Sequence, residues 1–363
     1  MRKMRAQVGA AFHAEPKDLP EMQKPLLEYT TSEGNREDEG VNHQLELDSL
    51  FLGDSATVLK TLPPQSIDLV VTSPPYADNR KGPYQGWPIA TYVDRFLPIT
   101  KELKRVLKPS GSFILNIKER ATDGERQTYV LELILALKKQ GWLWTEEYVW
   151  CKSNSYPGKW PNRFRDSWER CLHFTLRKGF KMRQDSVMVP VGDWAKARLK
   201  NLSETDKSRD ESKVGSGFGK NISNWIGREM VYPSNVLHLA TECSNREHSA
   251  AFPVGLPEWF IKLLTDEGDV ILDPFMGSGT SARAAINLKR HYVGVEMSPD
   301  YYQVSQAAIT EARALAEETR RRRGHRRSRE GNRGQPGEVP QAAPSSRSEA
   351  QGVYLLEEES IPV

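Results

Sequence analysis

A short stretch near the front of the chain combines groups that could hold and activate an amine. It consists of Ser73, Pro74, Pro75 and Tyr76, and it follows the apolar run Ser66–Thr72. The Ser73 hydroxyl and the Pro74 carbonyl can accept hydrogen bonds from a ring amino group, which helps its delocalised nitrogen to pyramidalise and act as a nucleophile. The Tyr76 ring can stack on a planar base. The stretch therefore predicts alkylation of a ring amine; the alternative is a Pro-Pro turn that only ends a strand.

A second stretch, 200 residues after Ser73, has the composition of a cofactor loop. Gly277 and Gly279 lie between a short apolar strand and a predicted helix, so backbone without a Cβ can approach a ligand beside unpaired N–H groups. Glu296 ends the next strand, 23 residues after Asp273, near the spacing at which an acidic residue binds ribose hydroxyls. A nicotinamide enzyme is an alternative for this pattern. The predicted cofactor residues here are Asp273, Pro274, Phe275, Gly277, Gly279, Thr280 and Glu296.

Strand and helix patterns alternate around both stretches. Predicted strands cover residues 50–52, 66–72, 112–117, 142–150, 270–273 and 292–296. Predicted helices cover residues 56–61, 91–107, 129–139, 257–264, 278–288 and 299–316. The Pro and Gly of Lys108–Gly111 are expected to separate the second helix from the strand that follows. The alternation predicts an α/β fold with a mainly parallel sheet and helices on both faces.

The periodicity fades in the middle of the chain, which predicts an inserted lobe. The predicted organisation is a flexible arm over 1–44, a catalytic half over 45–152, the lobe over 153–235, a cofactor-binding half over 236–318 and a disordered basic tail over 319–363. Cys151 to Asn235 carry 17 Lys and Arg against 9 Asp and Glu, whereas the chain outside this segment and the tail carries 25 against 33. A basic lobe on an acidic body favours a polyanionic partner; an ordinary solvated surface is the alternative.

The overall composition is that of a soluble protein. The 363 residues are 38% hydrophobic and 27% charged. No apolar run approaches the roughly 20 residues of a membrane span, and no apolar signal segment follows the basic N-terminus. We therefore predict a cytoplasmic location and no membrane partner. The three cysteines form no C-x-x-C pair, which argues against a disulfide framework or a zinc ribbon, and no metal site is predicted.

The two motifs together resemble those of a known enzyme family. Phe275-x-Gly277-x-Gly279, joined to Ser-Pro-Pro-Tyr at 73–76, resembles the DNA amino-methyltransferases that use S-adenosylmethionine. Because the catalytic motif precedes the cofactor motif, the chain is most similar to their β class, over about residues 46 to 315. The resemblance implies a Rossmann-like methyltransferase fold with a target-recognition lobe. It also implies double-stranded DNA as substrate, a restriction-modification role with a cognate endonuclease as partner, and a monomer or homodimer.

The resemblance implies further cofactor residues. Asp54 and the run His248–Pro253 are expected to flank the methionine end of the cofactor, and Glu296 to bind its ribose. His248 taken alone would more often be structural. The predicted cofactor set is completed by Asp54, Thr72, His248, Phe252 and Pro253.

The resemblance also implies a choice of target base. Ser-Pro-Pro-Tyr is the usual form among enzymes that methylate cytosine N4, whereas adenine N6 enzymes usually carry Asp or Asn in place of the serine. Methylation of cytosine carbon 5 is not expected, because that family places its nucleophilic cysteine after a proline, and no cysteine here follows one. Adenine N6 methylation, a non-catalytic DNA-binding protein, and an RNA or protein methyltransferase are the alternatives.

Basic and aromatic residues alternate at the start of the predicted lobe. Lys and Arg can neutralise phosphates, and Arg can also read guanine edges. The base to be methylated is expected to swing out of the duplex to reach the site. Many of the aromatic residues would form the core of the lobe itself. The predicted DNA contacts are Arg80, Lys81, Lys159, Arg163, Arg165 and Arg170.

Overall fold

The computed structural model describes residues 44–78, 86–155, 158, 161–204, 226–242 and 252–331. Four predicted site residues lie outside these ranges: Arg80, Lys81, Lys159 and His248. Almost all of the predicted arm and the last part of the predicted tail, from residue 332 onward, also lie outside them. Within the described ranges, no helix is both long enough and apolar enough to cross a lipid bilayer.

A central eight-stranded sheet organises the fold. Its strands are β1 (Ser49–Leu52), β2 (Ile67–Thr72), β3 (Leu107–Ile117), β6 (Leu143–Lys152), β7 (Trp168–Thr175), β10 (Val236–Leu239), β11 (Val270–Asp273) and β12 (His291–Glu296). Their order is β1-β12-β11-β2-β3-β7-β6-β10. All neighbouring strands are parallel except that β7 runs antiparallel to both β3 and β6. The predicted mainly parallel sheet is confirmed.

Two small antiparallel ribbons accompany the sheet. One pairs β4 (Ala121–Thr122) with β5 (Glu125–Arg126), and the other pairs β8 (Val189–Pro190) with β9 (Met230–Val231). The helices are α1 (Ser55–Thr61), α2 (Tyr92–Val106), α3 (Tyr129–Lys139), α4 (Asp193–Lys200), α5 (Gly255–Leu264), α6 (Thr280–Asn287) and α7 (Pro299–Gly331).

Apolar residues of the strands alternate between two cores, one on each face of the sheet. In β2, Val70 points to the face covered by α1, α2 and α3, whereas Leu69 and Val71 point to the face covered by α5 and α6. This is the period of two expected for a strand that is buried on both sides. Helices on both faces of the sheet are therefore confirmed.

The structure corrects the predicted boundary of the lobe. Residues 168–175 form β7 in the middle of the main sheet rather than part of a separate lobe. The five residues from Cys171 to Thr175 are all buried, between β3 and β6. The basic composition of the flanking segments concealed this strand, because strand pairing depends on residues far away in sequence.

The structure also corrects the start of the predicted tail. Helix α7 continues to Gly331, so residues 319–331 are helical rather than disordered. Arg322 lies 2.6 Å from Glu318 one turn earlier, and Arg321 lies 4.0 Å from Glu317. Such pairs, together with Ala, Glu and Arg, favour helix despite the low complexity of the sequence.

The segment Lys108–Gly111 does not interrupt the chain as expected. Helix α2 ends at Val106, and β3 begins at once with Leu107. The pairing of β3 with β2 shifts its register in this region, and a Cβ on Gly111 would lie 2.7 Å from the backbone oxygen of Asp68. Glycine therefore permits a bulge with close backbone contact, and the strand continues through it.

Candidate active site

The two predicted motifs meet at one edge of the sheet. Strands β2 and β11 are parallel neighbours, so the loops that follow them leave from the same edge. The Thr72 hydroxyl donates a hydrogen bond to Asp273 Oδ1 at 2.5 Å. A side-chain contact thus joins two stretches that are 201 residues apart in the chain.

This edge is also the point where the sheet changes direction. From β11 the chain moves outward to β12, whereas from β2 it moves the opposite way to β3. In open α/β sheets, the crevice between two such strands is where ligands bind. The glycine loop after β11 and the Pro-Pro turn after β2 form the two sides of this crevice.

Asp273 supports the glycine loop from inside. Its side chain is 2% exposed, and it accepts hydrogen bonds from Thr72, from the Ser281 hydroxyl at 2.5 Å and from the Phe275 backbone N–H at 3.0 Å. Burial raises the pKa of Asp273 to about 6, although these donors act to lower it. The predicted cofactor residue Asp273 is therefore placed beneath the loop, where Ser281, which the sequence analysis missed, helps to hold it.

The glycine loop needs backbone conformations that other residues rarely adopt. Gly277 and Gly279 have φ angles of 57° and 80°. A Cβ on Gly279 would also lie 3.2 Å from the Ser305 backbone. These glycines let the loop turn directly into α6, whose first residue is Thr280, and the first N–H groups of a helix have no partner within it and suit an anionic or polar ligand.

Glu296 is fixed beside this loop at the end of β12. Its side chain is 1% exposed, and its two carboxylate oxygens accept hydrogen bonds from the backbone N–H groups of Gly277 and Ser298, each at 2.8 Å. Its backbone oxygen accepts from Gly53 N–H at 2.9 Å. A negative charge is thus held next to the glycine loop by backbone donors, where an acidic residue for ribose hydroxyls is expected.

The end of β1 completes the cofactor side. Asp54 is the N-cap of α1 and accepts a hydrogen bond from Thr57 N–H at 3.0 Å. The next residue, Ser55, donates to the Pro274 carbonyl at 2.5 Å, so α1 is tied to the glycine loop. Phe252 and Pro253 lie just before Val254, the N-cap of α5, and Phe252 packs against the apolar core on that face.

Aromatic side chains join the two sides of the crevice. Phe275 stacks on Phe96 with ring centroids 6.0 Å apart, and it meets Trp87 edge-on at 5.8 Å. Trp87 in turn lies 5.4 Å from Tyr92, whose hydroxyl donates to the Pro75 carbonyl at 3.0 Å. The Pro-Pro turn and the glycine loop are therefore positioned by one aromatic cluster.

On the other side of the crevice, the hydroxyl of Tyr76 lies in a polar network. It is 2.6 Å from Glu169 Oε2 and 3.4 Å from both Ser73 Oγ and Asn116 Oδ1. Burial and the adjacent Glu169 carboxylate raise the pKa of Tyr76 well above its usual range, so the phenol stays protonated and donates to Glu169. Asn116 and Glu169 were not predicted. The β-prone run Cys171–Thr175 next to Glu169 was the available signal.

Three of the predicted DNA contacts, Arg163, Arg165 and Arg170, lie within the described ranges, and their side chains have different partners. The Arg165 side chain donates to the Ser155 carbonyl at 2.8 Å, and Arg163 lies 3.1 Å from Asp166. Arg170 is held by two carboxylates, those of Glu119 at 2.7 Å and Glu147. Its guanidinium therefore has protein partners, which does not favour a phosphate contact.

A cationic group that the sequence analysis missed surrounds Asp166. Lys118 and Arg126 lie 3.3 and 2.6 Å from its carboxylate, in addition to Arg163. Lys118 directly follows β3, and Asp166 lies two residues before the start of β7, so the group lies at the same edge as the crevice. Three cations therefore surround Asp166, and Lys118 also interacts with the Glu169 carboxylate.

A crevice at the direction change of a mainly parallel sheet, with a glycine loop on one side and a Pro-Pro turn on the other, is the arrangement of Rossmann-like methyltransferases. A family model described as DNA methylase, that of the N6/N4 methyltransferases, matches residues 67–307. The chain therefore belongs to the N6/N4 DNA methylase family. The resemblance predicted from the two motifs is confirmed.

Individual relatives agree with this assignment. The type II methyltransferase M.PvuII of Proteus hauseri is 31% identical over 304 residues, covering 76% of this chain and 84% of the relative. The type II methyltransferase M.BglII of Bacillus subtilis is 30% identical over 266 residues, covering 73% of this chain and 69% of the relative. The solved PvuII DNA methyltransferase, titled cytosine-N4-specific, is 25% identical with a TM-score of 0.54, covering 75% of this chain and 93% of that one.

Membership identifies the cofactor as S-adenosyl-L-methionine, as predicted, and removes the nicotinamide alternative. The residues on the cofactor side of the crevice fit S-adenosyl-L-methionine. The left-handed glycine loop leads directly into the start of α6, and the Glu296 carboxylate is fixed beside this loop. When bound, the cofactor supplies a methyl group on a positively charged sulfur.

Proposed function

We propose that the chain methylates the exocyclic N4 of cytosine at a specific site in double-stranded DNA. The observation that carries this proposal is the position of Ser73, which directly follows Thr72, the residue bonded to the cofactor loop. A serine hydroxyl can accept from N4 of cytosine and donate to its ring N3, whereas an ionised carboxylate can only accept. The similarity to a solved enzyme titled cytosine-N4-specific supports the same choice of base.

The turn 73–76 would activate the amine without a covalent intermediate. The Ser73 hydroxyl and the Pro74 carbonyl would accept from the amino group as charge develops on it, each bond contributing about 1.5 to 3 kcal/mol. The bond from Tyr92 to the Pro75 carbonyl stiffens this turn, so the acceptors are preorganised. The remaining acceleration would come from in-line placement of the amine and the methyl group.

The cofactor side would bind by backbone and carboxylate groups. We assign the ribose hydroxyls to Glu296 and the approach of the nucleoside to the backbone of Gly277 and Gly279. Asp54 would lie toward the methionine end, since its neighbour Ser55 is bonded to the glycine loop. His248 keeps its predicted role at that end.

The loop between β6 and β7 would contact the DNA. Phe164 is 95% exposed and stands between Arg163 and Arg165, whose side chains are anchored to Asp166 and Ser155. An exposed ring beside cations is suited to stack on a base while the cations neutralise phosphates. The Lys118 and Arg126 group lies at the same edge. We assign target recognition to this loop and to the segment 176–235.

In a cell, the modification would protect host DNA from an endonuclease that cuts at the same site. Among the relatives, M.PvuII and M.BglII are both named as type II methyltransferases. A cognate restriction endonuclease that acts on the same DNA sequence would therefore be its functional counterpart.

The base assignment is tested by nucleoside analysis. The protein is incubated with unmethylated genomic DNA and S-adenosyl-L-methionine carrying a labelled methyl group, and the digested DNA is separated by chromatography and mass spectrometry. N4-methylcytosine is expected, and it should form about tenfold to hundredfold more slowly with the Ser73→Ala protein. N6-methyladenine without N4-methylcytosine would overturn the base assignment, and label in RNA or protein but not in DNA would overturn the substrate class.

A further inference from the structure

A buried carboxylate lies directly behind the catalytic turn and belongs to the one antiparallel strand of the sheet. Glu169 is the second residue of β7 and is 6% exposed. One of its oxygens is 2.6 Å from the Tyr76 hydroxyl, and the other is 2.5 Å from Lys152 Nζ. The Glu169 carboxylate therefore connects Tyr76, the residue proposed to stack on the target base, to Lys152 at the end of β6.

The burial of this charge requires an explanation. A buried carboxylate is costly unless it is paired and hydrogen-bonded. Lys152 supplies the pairing, and its ammonium is also 4.8 Å from the centre of the Trp150 ring, which limits its movement. The oxygen that faces Tyr76 could instead have been satisfied by many other donors, so its bond to the stacking residue points to a role in the site.

The body of the Tyr76 ring packs against the apolar core, and its hydroxyl end is held by three polar contacts. Tyr76 is half-buried at the crevice, and its hydroxyl lies within 3.4 Å of Ser73 and Asn116, distances at the weak end of hydrogen bonding. The short bond to Glu169 is charge-assisted and is the strongest of the three. It fixes the far end of the ring, while the Pro-Pro turn fixes the near end.

We propose that Glu169, held by Lys152, is a positioning residue that fixes the Tyr76 ring in the orientation needed to stack on the extruded base. This inference rests on the proposed function, because it takes the ring to be the platform for the target base. A ring already fixed before the base arrives loses less conformational entropy on binding and places the amine more closely on line with the methyl group. The effect should therefore fall on base placement and turnover rather than on cofactor binding.

The test is a double-mutant cycle of Glu169→Gln and Tyr76→Phe. In Glu169→Gln the amide oxygen should turn to Lys152, so that Tyr76 loses its charged acceptor. The single-turnover rate of DNA methylation by Glu169→Gln should be about tenfold lower than that of the wild-type protein. This is the effect of losing one hydrogen bond to a charged group. In Tyr76→Phe, which keeps the ring but removes the hydroxyl, the further change Glu169→Gln should have little effect, because the two residues act through one bond.

A matched control separates positioning from folding. Glu119 is a comparably buried carboxylate, 8% exposed, that pairs with Arg170 on the same strand. Glu119→Gln should leave turnover close to that of the wild type. If Glu169→Gln fails to fold, Glu169→Asp keeps the charge opposite Lys152 but withdraws it from Tyr76, and it should show the same non-additive loss with Tyr76→Phe.

The outcomes distinguish this inference from the proposed function. Additive losses in the cycle, or weaker cofactor binding by Glu169→Gln, would overturn the positioning role. Fluorescence of 2-aminopurine placed at the target position gives a second readout, since a fixed ring should quench the extruded base in the wild type more than in Glu169→Gln. If the wild-type product proves to be N6-methyladenine, the base assignment fails, and the same cycle measured on that product still decides the role of Glu169.

Discussion

The two sides of the crevice are stabilised in different ways. On the cofactor side, Asp273 and Glu296 lie within one short stretch of sequence and accept hydrogen bonds from backbone N–H groups of the glycine loop, although Thr72 and Ser55 also bond to this stretch from more than 200 residues away. On the side of the amine, Tyr76 depends on Glu169, 93 residues away, and through it on Lys152. The glycine loop is therefore held both from within its own stretch of sequence and from outside it, whereas the shortest hydrogen bond of the Tyr76 hydroxyl is to a distant strand.

The largest effect should follow from removing the Ser73 hydroxyl at the Pro-Pro turn. Ser73→Ala is expected to lower kcat by about tenfold to hundredfold, because a hydrogen bond to the developing charge is lost. The dissociation constant for S-adenosyl-L-methionine should change little, because Ser73 belongs to the side of the amine. Single-turnover kinetics and calorimetry measure the two quantities. If Ser73→Ala lost turnover and cofactor affinity to the same extent, Ser73 could not be assigned to the amine side of the crevice alone.

The stability of the cofactor side should depend on pH through Asp273. Burial raises the pKa of Asp273 to about 6 from an ordinary value of 3.8, so the folded protein holds the proton more tightly than the unfolded chain does. Its contribution to stability is therefore fully present below about pH 4 and is lost as the pH rises through about 6, by about 2 to 3 kcal/mol.

Urea unfolding between pH 4 and pH 7 measures this dependence against Asp273→Asn. The free energy of unfolding of the wild type should fall relative to that of the variant as the pH rises. A difference between the two proteins that stays constant over this range would contradict the raised pKa.

Glu296→Gln tests the cofactor side directly. The cofactor dissociation constant should rise by about tenfold, because the ribose hydroxyls lose a charged acceptor and the amide cannot accept from both Gly277 and Ser298. The value of kcat at saturating cofactor should stay close to the wild-type value. Asp300→Asn, a change of an exposed acid in the first turn of α7, is the matched control and should bind normally. A fall in kcat without weaker cofactor binding would contradict the assignment of Glu296 to the cofactor side of the crevice.

The smallest expected effect concerns the exposed loop. Phe164→Ala should weaken binding to target DNA by about fivefold, within the range for one lost stacking contact. Leu315→Ala, which removes another exposed apolar side chain from α7, should leave DNA binding unchanged. Fluorescence anisotropy with a labelled duplex measures both. Unchanged binding by Phe164→Ala would exclude this ring from the DNA surface.

The cofactor side was largely predictable from the sequence. The apolar strand 270–273, the glycines and Glu296 follow one another within a short segment, so their patterns could be recognised without knowledge of the rest of the fold. The parallel sheet followed from the alternation of strands and helices. Even there, the inward position of Asp273 and its bond to Ser281 were not visible, because they depend on which way a side chain points.

The other side was less predictable for a physical reason. Strand β7 lies between β3 and β6 although its sequence is flanked by basic, irregular segments, and its pairing is decided by distant partners. Arg170 was therefore predicted to bind DNA, whereas it pairs with Glu119 and Glu147 within the sheet. Glu169 was missed for the same reason.

The reversed direction of β7 has a practical consequence for engineering. The chain leaves the sheet at Lys152 and returns at Ser167, and a backbone hydrogen bond of 2.7 Å from Lys152 N–H to the Ser167 carbonyl closes the base of this excursion. Both ends are thus fixed by the sheet itself. Chimeras that exchange residues 153–166 between related enzymes should retain the chemistry while acquiring the part of the donor's sequence preference that this loop carries.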